Sequence, residues 1–168
     1  SLGWSFARQL SLDTASVKLD YVYQDEDPDN NTRDFKHVVN LVSKWGKDNW
    51  GLWTDVGAGD ALADQSDIWG LVLMPFYNSN EKLQWVARYT YLESDKANGL
   101  RLGRYEREIV EGKGDEYGEV YLGVNYFFYG HKLKWQSGLQ YARMEDTIED
   151  GGRYKGWGFT TGLRIYWY

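Results

Sequence analysis

The sequence predicts an all-β fold, an antiparallel transmembrane β-barrel, built as a meander of about eight to ten strands. Residues 1–168 form a single barrel domain or barrel segment in this reading. Three observations predict it. Apolar and polar residues alternate with a period of two in block after block, and helical periodicity is nearly absent. The connections between blocks alternate between short and long. The chain is 17% aromatic, with 9 Trp and 14 Tyr, and many of these rings stand at the ends of blocks.

The closing segment is the clearest block. Trp157, Phe159, Thr161, Leu163, Ile165 and Trp167 share one face, and Gly156, Gly158, Thr160, Gly162, Arg164 and Tyr166 share the other. A strand in a membrane barrel needs this division, apolar toward lipid and small or polar toward a lumen.

The other elements follow in chain order. Residues 2–10 read as a strand with Leu2, Trp4 and Phe6 on one face. Residues 15–24 put Val17, Leu19, Tyr21 and Tyr23 against Ser16, Lys18 and Asp20. A polar loop, DEDPDNNTRD, separates them from residues 34–45, where Phe35, Val39, Leu41 and Trp45 oppose Lys36, Asn40 and Lys44. Residues 49–56 set Trp50, Leu52 and Val56 against Gly51 and Asp55, and a Gly/Asp loop follows over 57–67. Residues 68–77 are apolar on both faces and carry Pro75, which a strand tolerates only near an end or edge. Residues 81–92 set Leu83, Trp85, Ala87, Tyr89 and Tyr91 against Lys82, Gln84 and Arg88.

The longest connection, 93–115, holds a short extended piece in LRLGRYERE. Residues 117–129 set Val120, Leu122, Val124, Tyr126 and Phe128 against Tyr117, Glu119, Tyr121 and Asn125. After the tight turn Gly130-His131, residues 132–143 set Leu133, Trp135, Leu139 and Tyr141 against Lys132, Lys134, Gln136 and Gln140. Each block is near the roughly 9–11 residues that a tilted strand needs to cross hydrocarbon.

The turns at 46–48, 78–80 and 130–131 are short, while 25–33, 57–67, 93–115 and 144–153 are longer. Outer-membrane barrels sort their connections this way, with short turns in the periplasm. The last strand then descends to the periplasm. Counting back, a strand at 2–10 would also descend, so either residues 2–10 are not a membrane strand or, the preferred expectation, further strands precede this stretch.

Composition narrows the function. No run of apolar residues is long enough for a transmembrane helix. With no Cys there is no thiol nucleophile or thiolate metal site, and a formal charge of −6 argues against a nucleic-acid partner. His37 and His131 lack partners in any metal or catalytic spacing, and GKGD at 112–115 lacks the P-loop's spacing. The expectation is therefore no enzyme, no catalytic residues, no metal and no cofactor.

A pore works through its radius and the charges that line it. By face, the lumen cations are Lys18, Lys36, Lys44, Lys82, Arg88, Lys132, Lys134 and Arg164. Those near the short turns would form a cationic collar at the periplasmic mouth. Arg101, Arg104 and Arg107 lie in the long loop, where they could form a constriction. Arg suits an oxyanion because its fork donates two parallel hydrogen bonds. The competing reading is that these cations only solvate the interior and pair with Asp20, Asp55 and Glu119. Acidic clusters at 25–29, 108–116 and 145–150 read as solvated loops, or as carboxylates that tie the surface to lipopolysaccharide through divalent cations.

The segment YLGVNYFFYGHKLKWQSGLQYARMED, followed by GWGFTTGLRIYW, resembles the C-terminal part of the phosphate-selective porins of the O and P type. NEKLQWVARYTYLESDKANGL and RYERE are similar to the same family further upstream, so the resemblance covers roughly residues 66–167. It implies an outer-membrane porin of the bacterial envelope, typically a homotrimer, passing small anions such as phosphate through a lumen lined with Lys and Arg. Its surroundings would be outer-membrane lipid and lipopolysaccharide. The chain is shorter than the family's usual length, and Tyr168 follows the aromatic that ends the family's chains. Two other readings stay open: a complete small outer-membrane barrel with a structural or adhesin role, and a soluble lipocalin-like ligand-binding barrel.

Overall fold

A computed structural model describes residues 1–25, 35–62, 65–96, 99–101, 103, 113–145 and 153–166. Nearly all of it is antiparallel β-structure. The strands are β1 (Leu2–Ser5), β2 (Thr14–Tyr23), β3 (Phe35–Lys47), β4 (Trp50–Ala61), β5 (Ile68–Asn78) and β6 (Leu83–Ser94), then β7 (Leu100–Arg101), β8 (Lys113–Gly114), β9 (Glu116–Tyr129), β10 (Leu133–Glu145) and β11 (Tyr154–Ile165). Nine of them make one sheet in the order β1-β2-β3-β4-β5-β6-β9-β10-β11, and β7 pairs with β8 beside it. The sheet is a meander, so each strand pairs with its neighbour in sequence across a turn. The one exception is β6 to β9, where the β7–β8 ribbon intervenes. Among the described residues, β1 and β11 do not pair with each other.

The expected alternation holds through the register. One face carries Leu19, Leu41 and Val56 side by side on neighbouring strands, and further along Ala87, Leu122, Leu139 and Phe159. The other carries Asp20 beside Asn40 and Gln84 beside Asn125 and Gln136. These are the apolar and the polar face. Strand ends are staggered. The ladder that begins at Trp50, the first residue of β4, passes Tyr77, Trp85, Val124 and Ser137 to reach Thr161, well inside β11. Such a stagger accompanies tilted strands.

The described turns sort by end. Connections 48–49, 79–82 and 130–132 lie at one end, and the long connections lie at the other. The link from β1 to β2 is also at the short-turn end, where the Asp13 N–H donates to Gly46 O at 3.0 Å and Phe6 packs on Trp45 at 5.5 Å.

The apolar face has nothing packed on it. Among the described residues, the buried hydrophobic side chains are only Ala15, Leu100, Phe127, Ala142 and Met144. By contrast Leu122 is 62%, Phe159 65% and Trp157 75% exposed. The sheet is thus a single layer, not half of a two-layer core.

Three details differ from the sequence reading. Residues 2–10 are not one strand: β1 stops at Ser5 and a single helical turn, α1 (Ala7–Leu10), follows and ends at Ser11 with φ 53°. Alternation across Leu2, Trp4 and Phe6 could not reveal that turn. β4 runs on to Ala61 instead of stopping at 56, because Gly57, Ala58 and Gly59 continue the ladder with Asn40, Val39 and Val38. A bulge between Phe35 and His37 moves Phe35 to the polar face, where its ring lies on Gly59. A side chain at 59 would occupy the ring's place, so the Gly/Asp composition of this stretch records close packing in a strand, not a loop.

Candidate functional site

The polar face of β4 to β11 forms a cleft of about 1060 Å³. Its floor is a ladder of side-chain amides. The Gln84 amide donates to Asn78 Oδ1 (2.9 Å), Asn125 donates to Gln84 Oε1 (2.7 Å), and Gln136 donates to Asn125 Oδ1 (2.8 Å). Cross-strand register makes this possible, since Gln84, Asn125 and Gln136 sit directly opposite one another on β6, β9 and β10. A linked amide chain ties neighbouring strands together side chain to side chain and holds the wall at one spacing.

Toward the long-loop end lies a second network. The Arg88 guanidinium donates to Glu119 Oε1 at 2.7 Å, and Tyr117 OH donates to Glu119 Oε2 at 2.9 Å. Arg88 also stands 5.3 Å from the Tyr121 ring. That ring lies flat across Gly123 and Gly138, where any Cβ would collide with it. The two glycines therefore let Tyr121 lie against the wall instead of projecting from it.

At the short-turn end, Lys134 and Arg164 are directly opposite on β10 and β11. Like charges so placed repel by a few tenths of a kcal/mol up to ~1 kcal/mol. Neither has a carboxylate partner among the described residues. Lys134 Nζ is 5.8 Å from the Phe127 ring, and the Arg164 guanidinium is 4.8 Å from the Tyr166 ring. Both cations line the cleft, together with Arg88. Aromatic faces weakly favour the cations and leave their hydrogen-bond donors unspent.

The sequence-derived candidates fall in different places. Arg88, Lys134 and Arg164 come together in the cleft. Lys18 is on the polar face but on β2, paired with Asp20 at 2.8 Å. So Lys18 and Arg88 have the acidic partners that the competing reading gave them. Lys82 and Lys132 are not on a strand face: both lie in turns at the short-turn end, with Lys132 Nζ 6.0 Å from the Tyr129 ring. Lys36 falls in the β3 bulge. Arg101 belongs to the β7–β8 ribbon, outside the nine-stranded sheet. Arg104 and Arg107 lie outside the described residues, as do Trp167 and much of the acidic clusters. Lys44 is on the polar face, 4.7 Å from the Trp53 ring.

Strand residues on the polar face then hold Lys18, Lys44, Arg88, Lys134 and Arg164 against Asp20, Asp55 and Glu119, a cationic excess among the described residues. On the apolar face, charged residues such as Lys47, Glu93, Glu116, Arg143, Glu145 and Lys155 occur only near strand ends. There, Arg143 bridges Glu116 and Glu145 at 3.2 Å each. Among the described residues no group of His, Cys, Asp and Glu is arranged to hold a metal ion.

No protein-family model, no curated protein and no solved structure matches this chain.

Proposed function

We propose that this chain forms wall of an outer-membrane β-barrel that passes small anions by diffusion. The observation that carries the reading is the exposed apolar face. It is continuous across the sheet, uncharged through its middle, and edged with rings at both ends. Trp45, Trp50, Tyr77, Trp85 and Trp135 stand toward the short-turn end, and Tyr21, Trp69, Tyr91, Tyr141 and Trp157 toward the other. Water disfavours such a surface by about 25 cal/mol per Å². Lipid favours it, and the interfaces favour Trp and Tyr.

No helix among the described residues is long and apolar enough to cross a membrane, so crossing falls to the strands. A bilayer admits no unpaired strand edge, so the β1 and β11 edges must find partners when the barrel closes. In that barrel the polar face lines the lumen. Lys134 and Arg164, placed side by side and without a carboxylate partner among the described residues, supply a step of positive potential at the periplasmic end. Anions are drawn there by the field and released because the site is open and hydrated. Phosphate, carboxylates and chloride all suit this description. A homotrimer in the bacterial outer membrane, bedded in lipid and lipopolysaccharide, is the assembly that the porin resemblance implies.

The test is the reversal potential of the full chain in planar bilayers under a KCl gradient. Preference for chloride is expected, and it should weaken when Lys134→Gln and Arg164→Gln are combined. Preference for potassium, or stable solubility of the protein without detergent, overturns the reading.

A further inference from the structure

The polar face carries one feature that a pore for inorganic anions does not need. β5 is apolar on the side that faces the lumen as well as on the side that faces lipid. Ile68, Val72, Met74 and Phe76 follow one another on its polar-face side, interrupted only by Gly70. On β4, Trp53 is opposite Met74, and its indole meets the Phe76 ring edge-on at 5.8 Å. On β6, Leu92 is opposite Gly70, and Val86 is opposite Phe76. Toward the long-loop end this strip widens into an apolar groove of about 350 Å³ bounded by Phe35, Val38, Val72 and Leu92.

Lumen walls in contact with water gain nothing from such side chains. At its lower end the strip enters the same cleft as the three cations. Trp53, Met74, Phe76 and Phe127 line that cleft together with Arg88, Lys134 and Arg164. Phe127 is the junction, since it stands next to Lys134 across the β9–β10 ladder. The cleft is thus amphipathic: an apolar shelf on one side, and on the other the positive charge of Lys134 and Arg164, which have no carboxylate partner among the described residues.

We infer that the preferred solute is an amphipathic organic anion, a carboxylate carrying an aromatic ring or a short aliphatic chain, rather than inorganic phosphate. The inference rests on the channel reading above and names its substrate class. The carboxylate is taken by Lys134 and Arg164, whose donors match its two oxygens. The body lies along Phe127 and the Met74–Phe76 shelf, where it sheds water. Charge complementarity sets the end at which the head binds, and the apolar strip sets the direction from which the body arrives.

The test uses the full chain in planar bilayers in KCl. The probes are acetate, butyrate, hexanoate, benzoate and phosphate, each added at increasing concentration while its reduction of the chloride current is recorded. The half-blocking concentration should fall at least tenfold from acetate to hexanoate and to benzoate, with phosphate weaker than benzoate. Met74→Gln and Phe76→Gln together should bring benzoate back toward acetate. If chloride current is present but the series is flat, or phosphate blocks as well as benzoate, the inference is overturned and the channel reading stands. A series that is steep in the native chain but unchanged in the Met74→Gln, Phe76→Gln variant also overturns it, because the selectivity then lies elsewhere. Absence of any current overturns the channel reading and this inference with it.

Discussion

Phe159 and Thr160 are adjacent on β11 and point to opposite faces, so they offer the same depth in two different surroundings. Phe159 is opposite Leu139, which is opposite Leu122 and then Ala87, all on the apolar face. Thr160 is opposite Gly138 on the polar face. Five residues separate Phe159 from Tyr154 at the top of β11 and six from Ile165 at the bottom. At ~3.4 Å per residue and a tilt of ~40°, that places it ~13–16 Å from either end of the strand, near the middle of a band ~25 Å tall. An Arg at the midplane of a lipid-facing strand costs ~2–4 kcal/mol. Phe159→Arg should therefore reduce the folding equilibrium in lipid vesicles by on the order of 30- to 1000-fold, at 1.36 kcal/mol per factor of ten. Thr160→Arg should change it by no more than ~0.5 kcal/mol, as on an ordinary hydrated surface. The assay is urea titration of protein folded into phospholipid vesicles, followed by tryptophan emission and by heat-modifiable gel migration. Equal costs at the two positions, or a larger cost at Thr160, would falsify the assignment of faces. If the sheet stood in water, the polar substitution at Phe159 would be harmless.

Two further predictions concern the wall itself. Gly138→Ala places a Cβ against the Tyr121 ring and should cost ~1–3 kcal/mol by overpacking. In a Tyr121→Ala background that cost should drop to ~0.5 kcal/mol or less, and a cost that persists would show that the ring is not the obstacle. Glu119→Gln removes the charge that faces Arg88 at 2.7 Å, and should cost ~1–3 kcal/mol. A double-mutant cycle with Arg88→Gln should return a coupling of ~1 kcal/mol or more, whereas additive single effects would mean that the two side chains do not act as a pair.

The strand pattern was legible because side chains alternate, and alternation survives even where composition misleads. β11 could be divided into its two faces from residue types alone. What alternation cannot supply is register between strands that are far apart in sequence. Gln84 and Asn125 are opposite each other across the β6–β9 junction, and a long connection stands between them. Their amide ladder, and the approach of Arg88 to Glu119, follow only from that register. Turn positions are hard to place for a related reason. Lys82 and Lys132 stand in turns just before β6 and β10, although Lys82 O still accepts from the Phe127 N–H at 2.8 Å and Lys132 O from the Tyr166 N–H at 2.9 Å. Phe35 departs from parity within a strand, because one extra residue at the bulge reverses its side. The double-sided apolar character of residues 68–77 looked like the least tidy strand in the sequence. In the sheet it is the apolar shelf of the cleft, and the proposed solute site lies at this departure from alternation.

Bulk and charge also give the height of the wall. On β11 the large residues Trp157, Phe159, Leu163 and Ile165 all stand on the apolar face, while Gly156, Gly158, Thr160 and Gly162 stand on the polar one. A sheet that packed its core on the polar side would need the reverse. In the proposed membrane wall, the charges on the apolar face mark the upper limit of the lipid band. On the apolar face of β11 the uncharged stretch extends from below Lys155 to Ile165, and on that of β10 from below Arg143 to Leu133, which is opposite Ile165, ten residues each. At ~3.4 Å per residue and ~40° of tilt each is ~26 Å of vertical height, against an apolar band of ~25 Å. Two layers packing in water would limit the area of an apolar face but not its height across neighbouring strands. The agreement of the two strands with one membrane dimension, with Arg143 and its carboxylates set at the upper limit, is what the proposed membrane wall requires.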